Sequence, residues 1–277
     1  QLDGADKAVF LGRDVFTSGK ISAKTITQAL NILFGFRELL DSYGITRIRA
    51  IGTSALREAV NRETFVDRVR LRTGIPIEII DGLEANFLTY LAVLHAIREL
   101  PPKLRQANAL IMEVGGGSTE IMILAAGKMV AAHTLHIGTV RMLLQTPNRN
   151  QGQFGKQLES YQRESIRGTL DVLNADFSLT GISQFIGVGG EARLVARWKG
   201  IPSGKFCARV SRQDLREFVN RLETMSVDET VKFLSVPYRD AETLLPALLV
   251  YLLILEETGA NDLLVPQASI RDGALLE

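Results

Sequence analysis

The chain has 277 residues, which at roughly 150 residues per domain is the length of two domains and excludes a small module. Apolar residues make up 46% and charged residues 23%, with 24 Gly and 8 Pro, so neither a disordered tract nor a fibre fits. Thirty-two Lys and Arg against 31 Asp and Glu leave a net charge of +1. No general attraction to DNA or to an anionic membrane is expected, and any anion site has to be local.

Cys207 is the single cysteine, which excludes an intrachain disulfide and a thiolate metal cluster and makes a reducing cytoplasm the expected compartment. The longest apolar run, Leu244 to Leu255, contains Pro246 and falls short of the roughly 18–20 residues that a bilayer span needs. It is expected as a buried helix. The amino end shows no cleavable signal pattern and opens on Gln1, so the chain is expected to begin inside a longer protein.

In chain order, Ala5 to Leu11 is predicted as a strand ending at Gly12. Ser22 opens a helix with Ile26, Leu30, Leu33 and Phe36 at helical spacing, closed by Gly44. A strand at Arg47 to Gly52, the turn Thr53-Ser54, a helix through Val69 to Gly74 and a strand at Ile77 to Ile80 follow. Such alternation implies a parallel sheet flanked by helices. Glu84 to Leu100 is predicted helical, and Pro101-Pro102 is placed as the boundary between a first domain, 1–100, and a second, 101–277.

The second half opens as an antiparallel meander: Ala109 to Val114, the turn Gly115-Gly116-Gly117, Thr119 to Leu124, the turn Gly127-Lys128, and Met129 to Ile137. Helices are expected around Leu158 to Asn174, Glu191 to Trp198, Arg212 to Met225 and Thr243 to Thr258, with strands at Gln184 to Val188 and Asp262 to Val265. A faint echo between Val9–Val15 and Leu135–Arg141, each reading as a strand that ends in glycine, suggests duplicated domains.

Three glycines followed by Ser118 and Thr119, leaving an apolar strand, suit a phosphate turn. Glycine admits close backbone approach, successive N–H groups can converge on one anion, and a hydroxyl adds a donor. Glu113, set among Ile111, Met112 and Val114, stands at the mouth of that turn as a carboxylate for Mg2+ or for a water. Gly189 and Gly190, between a strand and the helix beginning at Glu191, form a second anion turn at a helix N-terminus. Thr53 and Ser54 lie at another strand-to-helix junction, from which the Arg57 guanidinium could fork onto phosphate oxygens. From Phe185 to Arg221 the chain sets Arg193, Arg197, Lys199, Lys205, Arg209, Arg212, Arg216 and Arg221 against Glu191, Asp214 and Glu217, a local cationic excess. Trp198 is expected to pack rather than to stack on a base.

Together these pieces resemble the exopolyphosphatase/guanosine pentaphosphate phosphatase (Ppx/GppA) family of the actin-like ATPase superfamily. The likeness is carried by LGRDVFTSGKIS (Leu11 to Ser22), IGTSALREA (Ile51 to Ala59), GIPIEIIDGLEANFLTYLAV (Gly74 to Val93), ALIMEVGGGSTEIMI (Ala109 to Ile123), HIGTVRM (His136 to Met142), GVGGEAR (Gly187 to Arg193) and LVPQASIRDGALLE (Leu264 to Glu277). These stretches keep the family's order over the whole chain.

The resemblance implies an α/β fold of two actin-like (ribonuclease H-like) domains around an interdomain cleft, with the carboxyl-terminal segment returning to the first domain. It implies a phosphohydrolase, an exopolyphosphatase that uses Mg2+ to release terminal orthophosphate from linear polyphosphate. Removal of the 5'-phosphate of pppGpp, or non-catalytic sensing of polyphosphate or a guanosine alarmone, are the alternatives; a sugar or acetate kinase of the same superfamily is a further one. Glu84 matches the catalytic carboxylate that orients or deprotonates water. Arg57 matches the arginine that contacts phosphate, and Gly115, Gly116, Gly117, Ser118 and Thr119 match the second phosphate loop.

Three departures stand out. The family's first phosphate loop, of the type Asp-x-Gly-Ser-Asn-Ser, is expected in a segment before Leu11, with the first domain's two leading strands. Glu113 replaces the usual Asp, and Asn86 replaces a common Arg, removing one cation. No histidine is followed by Asp, so the chain resembles the short form without a His-Asp helical extension. The expected partners are polyphosphate or an alarmone, with neither DNA nor membrane, and a homodimer is the working expectation for assembly.

Overall fold

A computed structural model describes residues 4–145 and 178–277 together with 160, 163, 164, 166, 168 and 171. The chain divides into two units, Gln1–Ala85 and Asn86–Glu277. The division falls near the start of a helix, ahead of the Pro101-Pro102 break that the sequence suggested, and the carboxyl-terminal segment groups with the second unit. The reason is packing: the helix that ends before those prolines buries Ala92, Val93, Ala96 and Ile97 in a core made with the strands that follow.

The first unit contains α1 (Leu11–Ser18), α2 (Ala23–Ser42), α3 (Ser54–Glu58) and α4 (Arg62–Thr73), with β1 (Ala50–Gly52) and β2 (Ile77–Ile79) paired in parallel. Ser22 caps α2 as its sequence suggests, its hydroxyl accepting from the Thr25 amide. Val15, Ile26, Leu30, Leu56, Phe65 and Val69 belong to the core of this unit. No strand forms at Ala5 to Leu11, because α1 begins at Leu11. Leu11, Val15 and the adjacent Phe16 all pack on the core, which a helix allows, whereas a strand would send Val15 and Phe16 to opposite faces. Val9–Val15 is thus not a strand that ends in glycine, and neither is Leu135–Arg141, where a strand stops at Leu135 and a helix begins at Thr139.

Helix α5 (Gly82–Ile97) leads into the second unit, followed by the short α6 (Pro102–Arg105). Among the described residues the sheet there has seven strands: β3 (Ala109–Val114), β4 (Thr119–Ala125), β5 (Lys128–Leu135), β6 (Gln184–Val188), β7 (Ile201–Pro202), β8 (Cys207–Ser211) and β9 (Asp262–Pro266). Their order is β5-β4-β3-β6-β9-β8-β7. Pairs β3–β6 and β6–β9 are parallel and the others antiparallel. The meander and the two later strands match their expected ranges closely, whereas β7 and β8 were not foreseen.

Alternation along the strands sends side chains to two cores. Leu110, Met112, Phe185 and Leu263 face α8 (Gly190–Lys199), α9 (Arg212–Glu223) and α11 (Tyr238–Glu257). Ala109, Ile111, Ile186 and Leu264 face α5. Helix α11 is buried without interruption from Leu244 to Leu255, as the apolar run predicts. Among the described residues no helix is long and apolar enough to cross a membrane. The remaining described α-helices are α7 (Thr139–Gln145), α10 (Val227–Leu234) and α12 (Ile270–Leu276). The helix expected around Leu158 to Asn174 lies mostly outside the described residues.

One side chain pins the loop between α1 and α2. The Asn61 amide donates through Nδ2 to the Ile21 carbonyl at 2.8 Å and accepts through Oδ1 from the Ile21 amide at 2.9 Å. Asn61→Ala removes both partners of a backbone whose side chain is buried. It is expected to lower unfolding stability by about 1–3 kcal/mol, measured as a shift of the urea midpoint with unchanged slope.

Candidate functional site

Between β3 and β4 the chain turns through Gly115, Gly116, Gly117 and Ser118, and the segment from Ile137 to Arg141 lies behind that turn. The Gly115 carbonyl accepts from the Thr139 amide at 2.9 Å and the Gly116 carbonyl from the Val140 amide at 2.9 Å. The Gly117 carbonyl accepts from Arg141 Nε at 2.6 Å. No cis peptide occurs among the described residues. In a trans peptide the N–H points opposite to the preceding carbonyl, so the amides of Gly116, Gly117 and Ser118 are turned away from the Ile137–Arg141 segment, on one side. Three successive N–H groups on one side make a concavity of the kind that can bind an anion.

Gly138 makes this arrangement possible. A Cβ there would stand 2.5 Å from the carbonyl carbon and oxygen of Gly116 and from the carbonyl carbon of Gly117. HIGTVRM was legible in the sequence as a resemblance, but no role for Gly138 or Arg141 could be read without knowing what lay beneath them. The hydroxyls expected to complete the turn have internal acceptors instead. Ser118 Oγ donates to Glu120 Oε1 at 2.9 Å, and Thr119 Oγ1 donates to the Ile137 carbonyl at 2.6 Å. The backbone, rather than these hydroxyls, is what the turn presents.

The second glycine turn lies beside the first because β3 and β6 are parallel neighbours. Gly189 precedes α8 at φ +122°, a backbone conformation that side chains rarely adopt. A Cβ at Gly190 would meet open space, so the N-terminus of α8 is accessible there. Where the β3–β6 ladder stops at Glu113↔Val188, the Tyr251 hydroxyl takes over. It accepts from the Val114 amide at 3.2 Å and donates to the Val188 carbonyl.

Glu113 and Glu120 are direct partners on β3 and β4 and share the face covered by α5. Glu113 Oε2 accepts from Thr89 Oγ1 at 3.0 Å. Burial pushes the Glu113 carboxyl above its ordinary range; the Thr89 bond opposes this and the nearby Glu120 charge adds to it. Glu120, which the sequence did not single out, accepts from Ser118, from Asn86 Nδ2 at 3.3 Å and from Thr134. The signal that could have found it was its cross-strand position opposite Glu113. Burial likewise raises the Glu191 carboxyl, against a hydrogen bond from Thr243 Oγ1 at 2.9 Å.

In the first unit the carboxyl ends of β1 and β2 gather the remaining expected residues. Thr53 and Ser54 follow β1 at the start of α3. Arg57, at the end of α3, donates from Nη1 to the Ile80 carbonyl just after β2 at 3.0 Å. Asp81 caps α5 by accepting from the Glu84 amide at 2.8 Å. The Glu84 carboxylate pairs with Arg49 at 3.1 Å, and Arg49 also reaches Glu78 at 3.5 Å. The Arg49 pairing was not visible in the sequence, since it needs β1 and the start of α5 to be neighbours.

Most cations of the basic stretch have partners within the second unit. Lys199 pairs with Asp214, Arg209 with Asp262 and Arg216 with Glu256 at 3.3, 3.0 and 2.8 Å. Arg193 donates to the Ala268 carbonyl, Arg212 to the Thr258 and Ala260 carbonyls, and Arg221 lies over Phe233 at 3.9 Å. Trp198 stacks on Phe218 at 4.5 Å, which makes it a packing residue as expected.

Among the described residues no three His, Cys, Asp or Glu side chains converge as a metal cage. Mg2+ needs no such cage, being commonly held by one or two carboxylates with water and substrate phosphate supplying the rest. Glu113, an oxygen-donor side chain beside the glycine turn, fits that pattern, whereas both oxygens of Glu120 already accept from Ser118, Asn86 and Thr134.

The architecture is α/β and matches solved structures with two actin-like domains. The structure of an exopolyphosphatase from Cytophaga hutchinsonii superposes with a TM-score of 0.84 at 23% identity, covering 98% of this chain and 86% of that one. The Aquifex aeolicus member of the Ppx/GppA family gives 0.74 at 20% identity, with 98% and 86% covered. The family model of the Ppx/GppA phosphatases matches residues 5–277, and the chain belongs to that family. Exopolyphosphatase 2 of Mycobacterium tuberculosis is 32% identical over 143 residues, 49% of this chain and 42% of that protein. A Haemophilus influenzae relative is 27% identical over 196 residues, 71% of this chain and 58% of its own length. The matches thus span 58% and 42% of the lengths of these two curated relatives.

Two outcomes follow from this geometry. Overpacking against backbone costs about 1–3 kcal/mol, so Gly138→Ala is expected to weaken binding of inorganic tripolyphosphate by about tenfold or more, read by calorimetry. For Glu191, a raised carboxyl favours the folded state fully at acid pH, and that advantage is lost as pH rises through the raised value. Glu191→Gln keeps an acceptor for Thr243 without the charge. Its melting temperature is expected to equal that of the parent near about pH 4 and to exceed it near about pH 8.

Proposed function

We propose that this protein is a cytoplasmic phosphohydrolase that releases terminal orthophosphate from linear inorganic polyphosphate. The observation that supports it most is the set of Gly116, Gly117 and Ser118 amides turned to one side of a backbone locked from behind by Thr139, Val140 and Arg141, in a chain of a phosphatase family. Such preorganised donors stabilise the oxygens of a phosphoryl group as charge develops on them. Gly189 and Gly190 at the start of α8 take further phosphate oxygens, and Arg57 forks onto another pair.

Glu84 orients the attacking water or takes its proton. The water oxygen bonds to the terminal phosphorus as the bridging P–O bond breaks, and the shortened chain leaves with the bridging oxygen. Glu113 would hold Mg2+, with Glu120 beside it; when bound, that ion neutralises charge on the departing phosphate. The terminal phosphoanhydride of pppGpp presents the same group, so a guanosine pentaphosphate is the alternative substrate. The Arg49–Glu84 ion pair favours one second reading, a sensor that binds polyphosphate or an alarmone without turnover, because it engages an oxygen of the carboxylate that would have to hold the water.

Phosphate release from polyphosphate and from pppGpp, each measured beside binding, separates these readings. Glu84→Gln is expected to cut release by about two to four orders of magnitude while binding persists. Near-parental turnover by that variant removes Glu84 from the chemistry, and binding without release by the parent protein establishes the sensor.

A further inference from the structure

The layer between α5 and the sheet is apolar over most of its length, with Ala92, Val93, Ala96 and Ile97 against Ala109, Ile111 and Met122. At its start the same helix face carries Asn86 and Thr89, and the strands carry Glu120 and Glu113. Asn86 is only 2% exposed. Its Nδ2 donates to Glu120 Oε2 at 3.3 Å, while its Oδ1 is buried with no hydrogen-bond partner.

A position selected for packing alone would not keep an amide whose carbonyl half is left unpaired, because an orphaned buried acceptor destabilises the fold. What the amide supplies is its donor half. The other side chains on the Glu120 carboxylate, Ser118 and Thr134, are hydroxyls, which rotate freely and can donate elsewhere. The Asn86 amide has no such freedom, being held close to a helix backbone. Glu120 in turn accepts from Ser118 at 2.9 Å, and the Ser118 amide is the last of the three turned toward the anion concavity.

We infer that Asn86 is a positioning residue of the phosphate turn. It touches no substrate; it fixes the Glu120 carboxylate, Glu120 fixes the Ser118 side chain, and Ser118 sets the final N–H of the concavity. The inference rests on the proposal that this turn binds phosphate, and it adds a residue that acts on the turn from inside the core.

The test is a double-mutant cycle on the purified protein with Asn86→Ala, Glu120→Gln and the pair, read by calorimetric binding of inorganic tripolyphosphate, by phosphate release from polyphosphate and by thermal melting. Each single change is expected to weaken tripolyphosphate binding by about tenfold, since small misplacements of a positioned group have large effects. The pair is expected to be no weaker than the more severe single change, because both act through one interaction. Asn86→Leu, which keeps about the same volume and removes the donor without adding a charge, is expected to match the loss from Asn86→Ala and serves if the alanine variant does not fold. Melting of Asn86→Leu within a few degrees of the parent separates positioning from a general loss of structure. Losses that add in the pair, or binding by Asn86→Leu within twofold of the parent, overturn the inference. A parent protein that binds tripolyphosphate but releases no phosphate overturns the hydrolase reading alone, and the cycle in binding still decides the role of Asn86. A parent that does not bind tripolyphosphate overturns both.

Discussion

Everything in the second unit that faces the anion turns depends on one buried hydroxyl. Tyr251 projects from α11, a helix enclosed by apolar neighbours, and its oxygen bridges the Val114 amide and the Val188 carbonyl where β3 and β6 part company. Two parallel strands cannot both continue their ladder and diverge into separate turns without leaving backbone groups unpaired, and unpaired buried backbone is costly. Tyr251 resolves that conflict at the residue before Gly115 and the residue before Gly189. Burial pushes its phenol well above the ordinary range, so the group stays a donor at any physiological pH.

The second constraint is electrostatic. Glu113 and Glu120 stand opposite one another on neighbouring strands, an arrangement that like charges disfavour. The structure treats them differently. Glu120 is surrounded by Ser118, Asn86 and Thr134 as donors, whereas Glu113 has Thr89 and is pushed up by burial. Unequal environments for paired carboxyls are a recurrent means of giving them different tasks. Asn86, which stands where the family resemblance placed a cation, enters this balance as a neutral donor inside the core.

On the proposed reading, anion recognition in the second unit draws on backbone more than on cationic side chains. The Arg- and Lys-rich stretch between β6 and the end of α9 is engaged with Asp214, Asp262, Glu256, carbonyl groups and aromatic rings. A net charge of +1 is compatible with that arrangement, since fixed N–H dipoles in a concavity attract phosphate without any excess of formal charge.

Sequence by itself determined the elements whose signal is local. The alternating meander from Ala109, the uninterrupted apolar helix over Leu244 to Leu255, the Ser22 cap and both glycine turns were legible because backbone preference and periodicity act within a few residues. The same local logic misread Ala5 to Leu11 as a strand, since a short apolar run does not distinguish a strand from the start of a helix. Tertiary structure alone decided which faces met: Gly138 behind Gly116, Glu120 opposite Glu113, Asn86 on Glu120, Arg49 on Glu84, and the cations drawn into ion pairs. Each of these joins residues brought together by packing of separate elements, and the energy of such a contact depends on distance in space, which the order of residues along a chain does not specify.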